Sequence, residues 1–166
     1  MAGEGEEGPE GEEGEEVINL DFSKEFRPIF DALMAAVPTL KITSGRRTLT
    51  SQLEAMLINE AKSPGYIEKT YIPTPIIRWI IKQLHTRNLT KMTPARRALG
   101  WTFDIEDQFS KADQQRLSRH ITGDAVDVVP GTPQEEAAIL KVLAGQPPTK
   151  LLTSEGGLPR WHIQSV

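Results

Sequence analysis

Proline sets how long any element of this chain can be. Pro38, the Pro64-Gly65 pair, Pro73, Pro75, Pro94 and the Pro130-Gly131 pair each interrupt the backbone. Proline lacks the N–H that a helix interior or central strand needs, and glycine favours turns. Only short helices and strands fit between these breaks. Phe22, Phe26, Ile29, Phe30, Leu33 and Val37 recur at helical spacing, which predicts an amphipathic helix over 23–36 that Pro38 stops. Leu40 and Ile42 mark a short strand. A second helix is expected at 49–61, with Leu53, Met56 and Leu57 inward.

The later part reads differently. Residues 124–129 alternate as a strand, and Pro130-Gly131 turns the chain. Thr132 and Glu135 form a capping box with Pro133 at the first helical position, so a helix is expected at 133–143. Gly145 ends it. Strands are expected at 149–154 and 160–165, joined by Glu155-Gly156-Gly157. Helices early and strands late imply an α+β fold with a small, largely antiparallel sheet flanked by helices. In the middle, residues 63–109 form a basic segment with one clear helix at 76–85, and Ser110 can cap a short helix at 111–118. Between 64 and 97 lie seven bases and one acid, Glu68. Tyr66, Tyr71 and Trp79 among these bases raise the possibility of nucleotide stacking. The favoured reading packs Trp79 and the isoleucines inward and leaves the bases solvated, so nucleic acid is disfavoured as a partner.

Charge is unevenly spread. Residues 1–16 hold eight of the 23 acids and no base, leaving 15 acids against 19 bases, or +4, for residues 17–166. The Glu/Gly tail at 1–16 cannot bury apolar surface and is expected to be disordered, ahead of a single domain at 17–166. No apolar run approaches the ~18 residues of a membrane span, so no stable membrane insertion is expected. The start also lacks the basic and apolar regions of a secretory signal. With no cysteine, disulfides and thiolate ligands are impossible, and any metal must be held by His and carboxylates.

The chemistry concentrates in Ser118-Arg-His120-Ile-Thr-Gly123-Asp-Ala125-Val-Asp127. Along a strand, Ala125 and Asp127 share one face and Val126 and Val128 the other. The valines can face a core while the carboxylate faces open space. Gly123 lets the backbone turn so that His120 folds back toward Asp127. In the last strand, Arg160, His162 and Gln164 share one face, and Trp161 and Ile163 the other. If the two strands are neighbours, His162 joins His120 and Asp127. Three such ligands with a position left for water describe a catalytic zinc site.

The ordered set of Ser-x-His-x-x-Gly-x-Ala-x-Asp, a late Trp161-His162 and an early Ser44-Gly45-Arg46-Arg47-Thr48 with Gln52 resembles the zinc D-alanyl-D-alanine carboxypeptidase and L-alanyl-D-glutamate endopeptidase family. That family includes phage endolysins and shares its fold with the hedgehog signalling domain. The resemblance covers roughly 40–166, apart from the middle. It implies a hedgehog/DD-peptidase-like fold and Zn²⁺ held by His120, Asp127 and His162. It further implies that Arg47 is a catalytic and substrate-binding residue and that Gln52 and Ser118 line the same cleft. Many members place an acid three residues before the last His, where this chain has Pro159. Others place a Glu further upstream, and Glu155 matches that pattern as general base.

The function so implied is zinc-dependent hydrolysis of a peptide bond in peptidoglycan stem peptides, by a phage lysin located in the host cytoplasm before lysis or in the virion. Two alternatives stand beside it. One is a catalytically inactive metal-binding structural or virion module of the same fold, contacting virion proteins, which Pro159 favours. The other is a nucleic-acid-binding virion protein that uses residues 64–97.

Overall fold

The computed structural model describes residues 18–86 and 92–166. The tail at 1–16 lies outside the described residues. The described elements are helices α1 (Arg27–Ala36), α2 (Leu49–Lys62), α3 (Tyr66–Thr70), α4 (Pro75–Thr86), α5 (Pro94–Gln108), α6 (Lys111–Gln115), α7 (Arg119–Thr122) and α8 (Pro133–Ala144), and strands β1 (Ile42–Ser44), β2 (Ala125–Val128), β3 (Thr149–Glu155) and β4 (Leu158–Ser165). The strands form one sheet in the order β1-β2-β4-β3, antiparallel at every junction. The fold is α+β.

Each face of the sheet has its own use. Val126 and Val128 of β2 and Trp161 and Ile163 of β4 are buried against Phe26, Ile29, Phe30 and Leu33 of α1 and its approach, and against Ile139 and Leu143 of α8. The opposite face carries Asp127 and His162, set directly across from one another in the β2–β4 register. Side-chain alternation thus sends the apolar residues to a core and the polar ones to a cleft.

A second core stands apart from the first. Leu53, Met56 and Leu57 of α2 pack on Ile67 of α3, Ile76, Ile77 and Ile80 of α4, and Ala98, Trp101 and Ile105 of α5. Trp79 packs edge-on against Trp101 and Phe109, at centroid distances of 5.7 and 6.4 Å. Ile67, Ile76, Ile77, Ile80 and Ile105 of the basic 63–109 segment therefore turn inward, with Trp79 and Ile81 packed against them, while Ile72 is 81% exposed; the segment supplies most of this core.

Helix starts follow proline and caps. α1 begins at Arg27 rather than at 23, with Pro28 in its first turn, and residues 24–26 form a turn before it. A fixed φ and missing N–H suit Pro28 to a helix start. The segment expected as helix over 111–118 closes at Gln115, because Ser118 is taken as the cap of α7. α5 is an unforeseen 15-residue helix, capped by Thr93 and opened by Pro94. Its stripe of Ala98, Trp101, Thr102 and Ile105 has helical spacing. The stripe is blurred in the sequence by Gly100 and by Leu99 and Phe103, which are exposed.

α8 forms the expected capping box. Thr132 Oγ1 accepts from the Glu135 N–H at 3.1 Å, and Glu135 Oε1 accepts from the Thr132 N–H at 2.9 Å. Thr132→Ala should lower stability by roughly 0.5–2 kcal/mol. A urea titration should show this as a lower midpoint at unchanged slope.

Candidate metal centre

Three separate segments converge on the polar face of the sheet. β2 brings Asp127, and β4 brings His162 opposite it. His120 comes from α7, a single turn that Ser118 caps by accepting from the His120 N–H at 3.2 Å. Gly123 ends that turn at φ +80°, in the left-handed region where glycine is at ease. A Cβ there would also lie 2.8 Å from the Ser23 backbone nitrogen. The chain crosses so closely because the Ser23 N–H donates to the Gly123 carbonyl at 3.0 Å. Glycine is therefore required on both counts, and His120 is delivered at 2% exposure.

The hydrogen bonds orient both rings. His120 Nδ1 meets the Gly45 carbonyl at 2.7 Å and must donate to it, since a carbonyl only accepts. Nε2 then faces Asp127 Oδ2 at 3.1 Å. His162 Nε2 donates to Gln164 Oε1 at 2.7 Å, which turns Nδ1 toward Asp127 Oδ1 at 2.8 Å. Each neutral ring so oriented points a lone pair at a carboxylate oxygen. A proton or a cation reconciles such a pair.

The electrostatics divide the rings. Burial opposes ionisation of Asp127, but His120 and His162, by charge and hydrogen bonding, hold its carboxyl well below the usual range. Burial pushes His120 down, more strongly than Asp127 raises it. Burial also opposes charging of His162, yet contact with Asp127 and the charge of Glu155 carry it above its ordinary value. A proton can thus serve His162 but suits His120 poorly. A divalent cation suits all three. The ligating atoms of His120, Asp127 and His162 lie within 4.8 Å of one another, and this buried group could hold a metal ion.

Arg47 and Gln52 surround the centre on one side. Arg47 Nη2 donates to Asp127 Oδ2 at 3.3 Å, and Nη1 donates to Gln52 Oε1 at 3.1 Å. The Arg47 N–H donates to the His120 carbonyl at 2.9 Å, joining the early and late motifs through the backbone. Gln52 is buried and passes its own Nε2 to the Tyr71 hydroxyl at 3.1 Å. It holds Arg47 from behind instead of facing the cleft.

No family model, curated protein or solved structure matches this chain. The centre opens into a cleft of about 780 Å³ that Arg47, Ser118 and Glu155 also line. Ser118 reaches the cleft while its hydroxyl caps α7. Glu155, at the end of β3, places Oε1 3.9 Å from His162 Nδ1. Pro159 pairs across the hairpin with Ser154 and is exposed.

All the expected site residues thus come to one place, either in the cleft or directly behind it. Two supporting residues have roles that the sequence did not assign them. Gln164, two positions after His162 on the same strand face, was legible as a neighbour but not as the acceptor that fixes its tautomer. Tyr71, weighed in the sequence only as a stacking ring, gives no local sign of its bond to Gln52, because only folding brings the end of α3 against α2. Partners that orient a metal-ligating imidazole typically set affinity by 10–100-fold. Gln164→Leu should weaken binding of a divalent ion by about that factor, read by competition with a chromophoric chelator.

Proposed function

We propose that this chain is a zinc-dependent peptidase that hydrolyses a peptide bond in peptidoglycan stem peptides. In type it is a D-Ala-D-Ala carboxypeptidase or L-Ala-D-Glu endopeptidase from a bacteriophage. The observation that carries the reading is the buried His120–Asp127–His162 group at the floor of a cleft, with a carboxylate and a guanidinium beside it. Two imidazoles and one carboxylate, with no thiolate, are a donor set suited to catalytic zinc. The proposed site of action is the bacterial cell wall, reached from the host cytoplasm at lysis or from the virion.

A bound zinc ion supplies Lewis acidity and lowers the pKa of a water to about 7. The protein groups do the rest. Asp127 and His162 fix the floor, and Gln164 and Gly45 fix the ring orientations. Glu155 accepts a proton from the attacking water and returns it to the leaving amine. Arg47, steadied by Gln52, directs its guanidinium toward the substrate carbonyl oxygen as negative charge develops there.

The inactive-module reading draws on Pro159, which removes the commoner position for the acid. The approach of Glu155 to His162 favours turnover. Protein carrying stoichiometric zinc by elemental analysis should release muropeptides from purified sacculi, read by mass spectrometry. Glu155→Ala should keep the zinc and lose at least about 100-fold in rate, the usual worth of a general base. Equal cleavage by wild type and Glu155→Ala would defeat the mechanism. His120→Ala should lose both zinc and activity. Salt-dependent binding to DNA without sacculus cleavage would instead point to the nucleic-acid reading.

A further inference from the structure

The cleft is lined by more positive charge than the centre needs. Arg47, Arg116, Arg119, Lys150 and Arg160 face it, against the carboxylates of Asp127 and Glu155. Asp127 is engaged by both histidines and by Arg47. Among the described residues, Arg116, Arg119, Lys150 and Arg160 form no ion pair within 4.0 Å. A concave surface lined mainly by one sign of charge concentrates its field on whatever enters.

Arg160 differs from the other three. It precedes His162 by two positions on β4, so it projects to the same face, about 7 Å along the strand. It is half-buried rather than exposed. Its Nη2 donates to Asn59 Oδ1 near the end of α2, which fixes the guanidinium across the gap between sheet and helix. A guanidinium has five N–H donors, and the side chain's one hydrogen bond among the described residues is to Asn59. A planar fork held in place, with donors to spare, matches a carboxylate in two-point contact.

We propose that Arg160, positioned by Asn59, anchors a subsite for a carboxylate of the substrate. It lies one strand repeat from His162, and Arg116, Arg119 and Lys150 draw acidic peptides toward it. The ligand class is therefore a stem peptide with free carboxylates, in preference to its amidated form. The choice of peptide rests on the peptidase reading, but the binding it predicts does not require turnover.

The test uses the full chain loaded with zinc and two synthetic stem pentapeptides, one with all carboxylates free and one fully amidated. Titration calorimetry on wild type should show amidation weakening binding by about tenfold or more. Arg160→Gln should weaken the acidic peptide by a similar factor and leave the amidated one unchanged. Added salt should weaken only the acidic peptide. Asn59→Ala, which leaves the charge in place, should give a smaller loss on the acidic peptide alone. The proposal is overturned if Arg160→Gln weakens both peptides equally, if wild type does not distinguish them, or if wild type binds neither. Sacculus digestion is read separately. Coupling between Arg160 and the carboxylate without cleavage would keep the subsite and remove the peptidase reading. Cleavage without coupling would do the reverse.

Discussion

One carboxylate organises this molecule. Asp127 sits between two buried imidazoles and a guanidinium, and each contact comes from a different stretch of chain. Isolated charges are costly to bury unless they are paired, so the surrounding fold must deliver all the partners together. The β2–β4 register delivers His162, the Gly123 turn delivers His120, and the backbone bond from Arg47 to His120 delivers the arginine. Shifting that register by one residue would turn Asp127 into the apolar core and bring Val126 or Val128 to the cleft.

The two hydrophobic clusters divide the work. One backs the sheet with α1 and α8 and keeps β2 and β4 in register. The other gathers α2 to α5 into a block that holds Gln52 and Tyr71 behind Arg47 and Asn59 beside Arg160. The basic 63–109 segment is therefore part of what shapes the cleft, which Tyr66, Thr70, Tyr71 and Thr74 help to line.

Much of the site was legible because its logic is local. Alternation along 125–128 and 160–164 separates core from cleft without knowledge of the fold, and Gly123 marks the turn between His120 and Asp127. The capping box of Thr132 and Glu135 likewise marks α8 within a residue. What stayed hidden depends on contacts distant in the chain. α5 shows a mixed face, since Leu99 and Phe103 are exposed while Thr102 is buried. Gln52 has a motif position, but whether it faces substrate or supports Arg47 is decided by Tyr71, nineteen residues away. Arg160 is one base among many until Asn59, 101 residues earlier, fixes it.

The hairpin tip after Glu155 joins the two halves. A Cβ on Gly156 would come within 2.3 Å of the Tyr66 ring and 2.5 Å of Thr70 Oγ1, and Ser63 Oγ donates to the Gly156 carbonyl at 3.3 Å. The tip of the sheet thus rests on α3, which belongs to the helical block. In the proposed reaction the proton acceptor rides on one half's hairpin while its bearing surface belongs to the other. A slight slip between the halves would shift the surface that supports the Glu155 hairpin, and Gln52 behind Arg47, while His120, Asp127 and His162 stayed together. Turnover would then report on the alignment of the two cores more sensitively than metal content or melting temperature does.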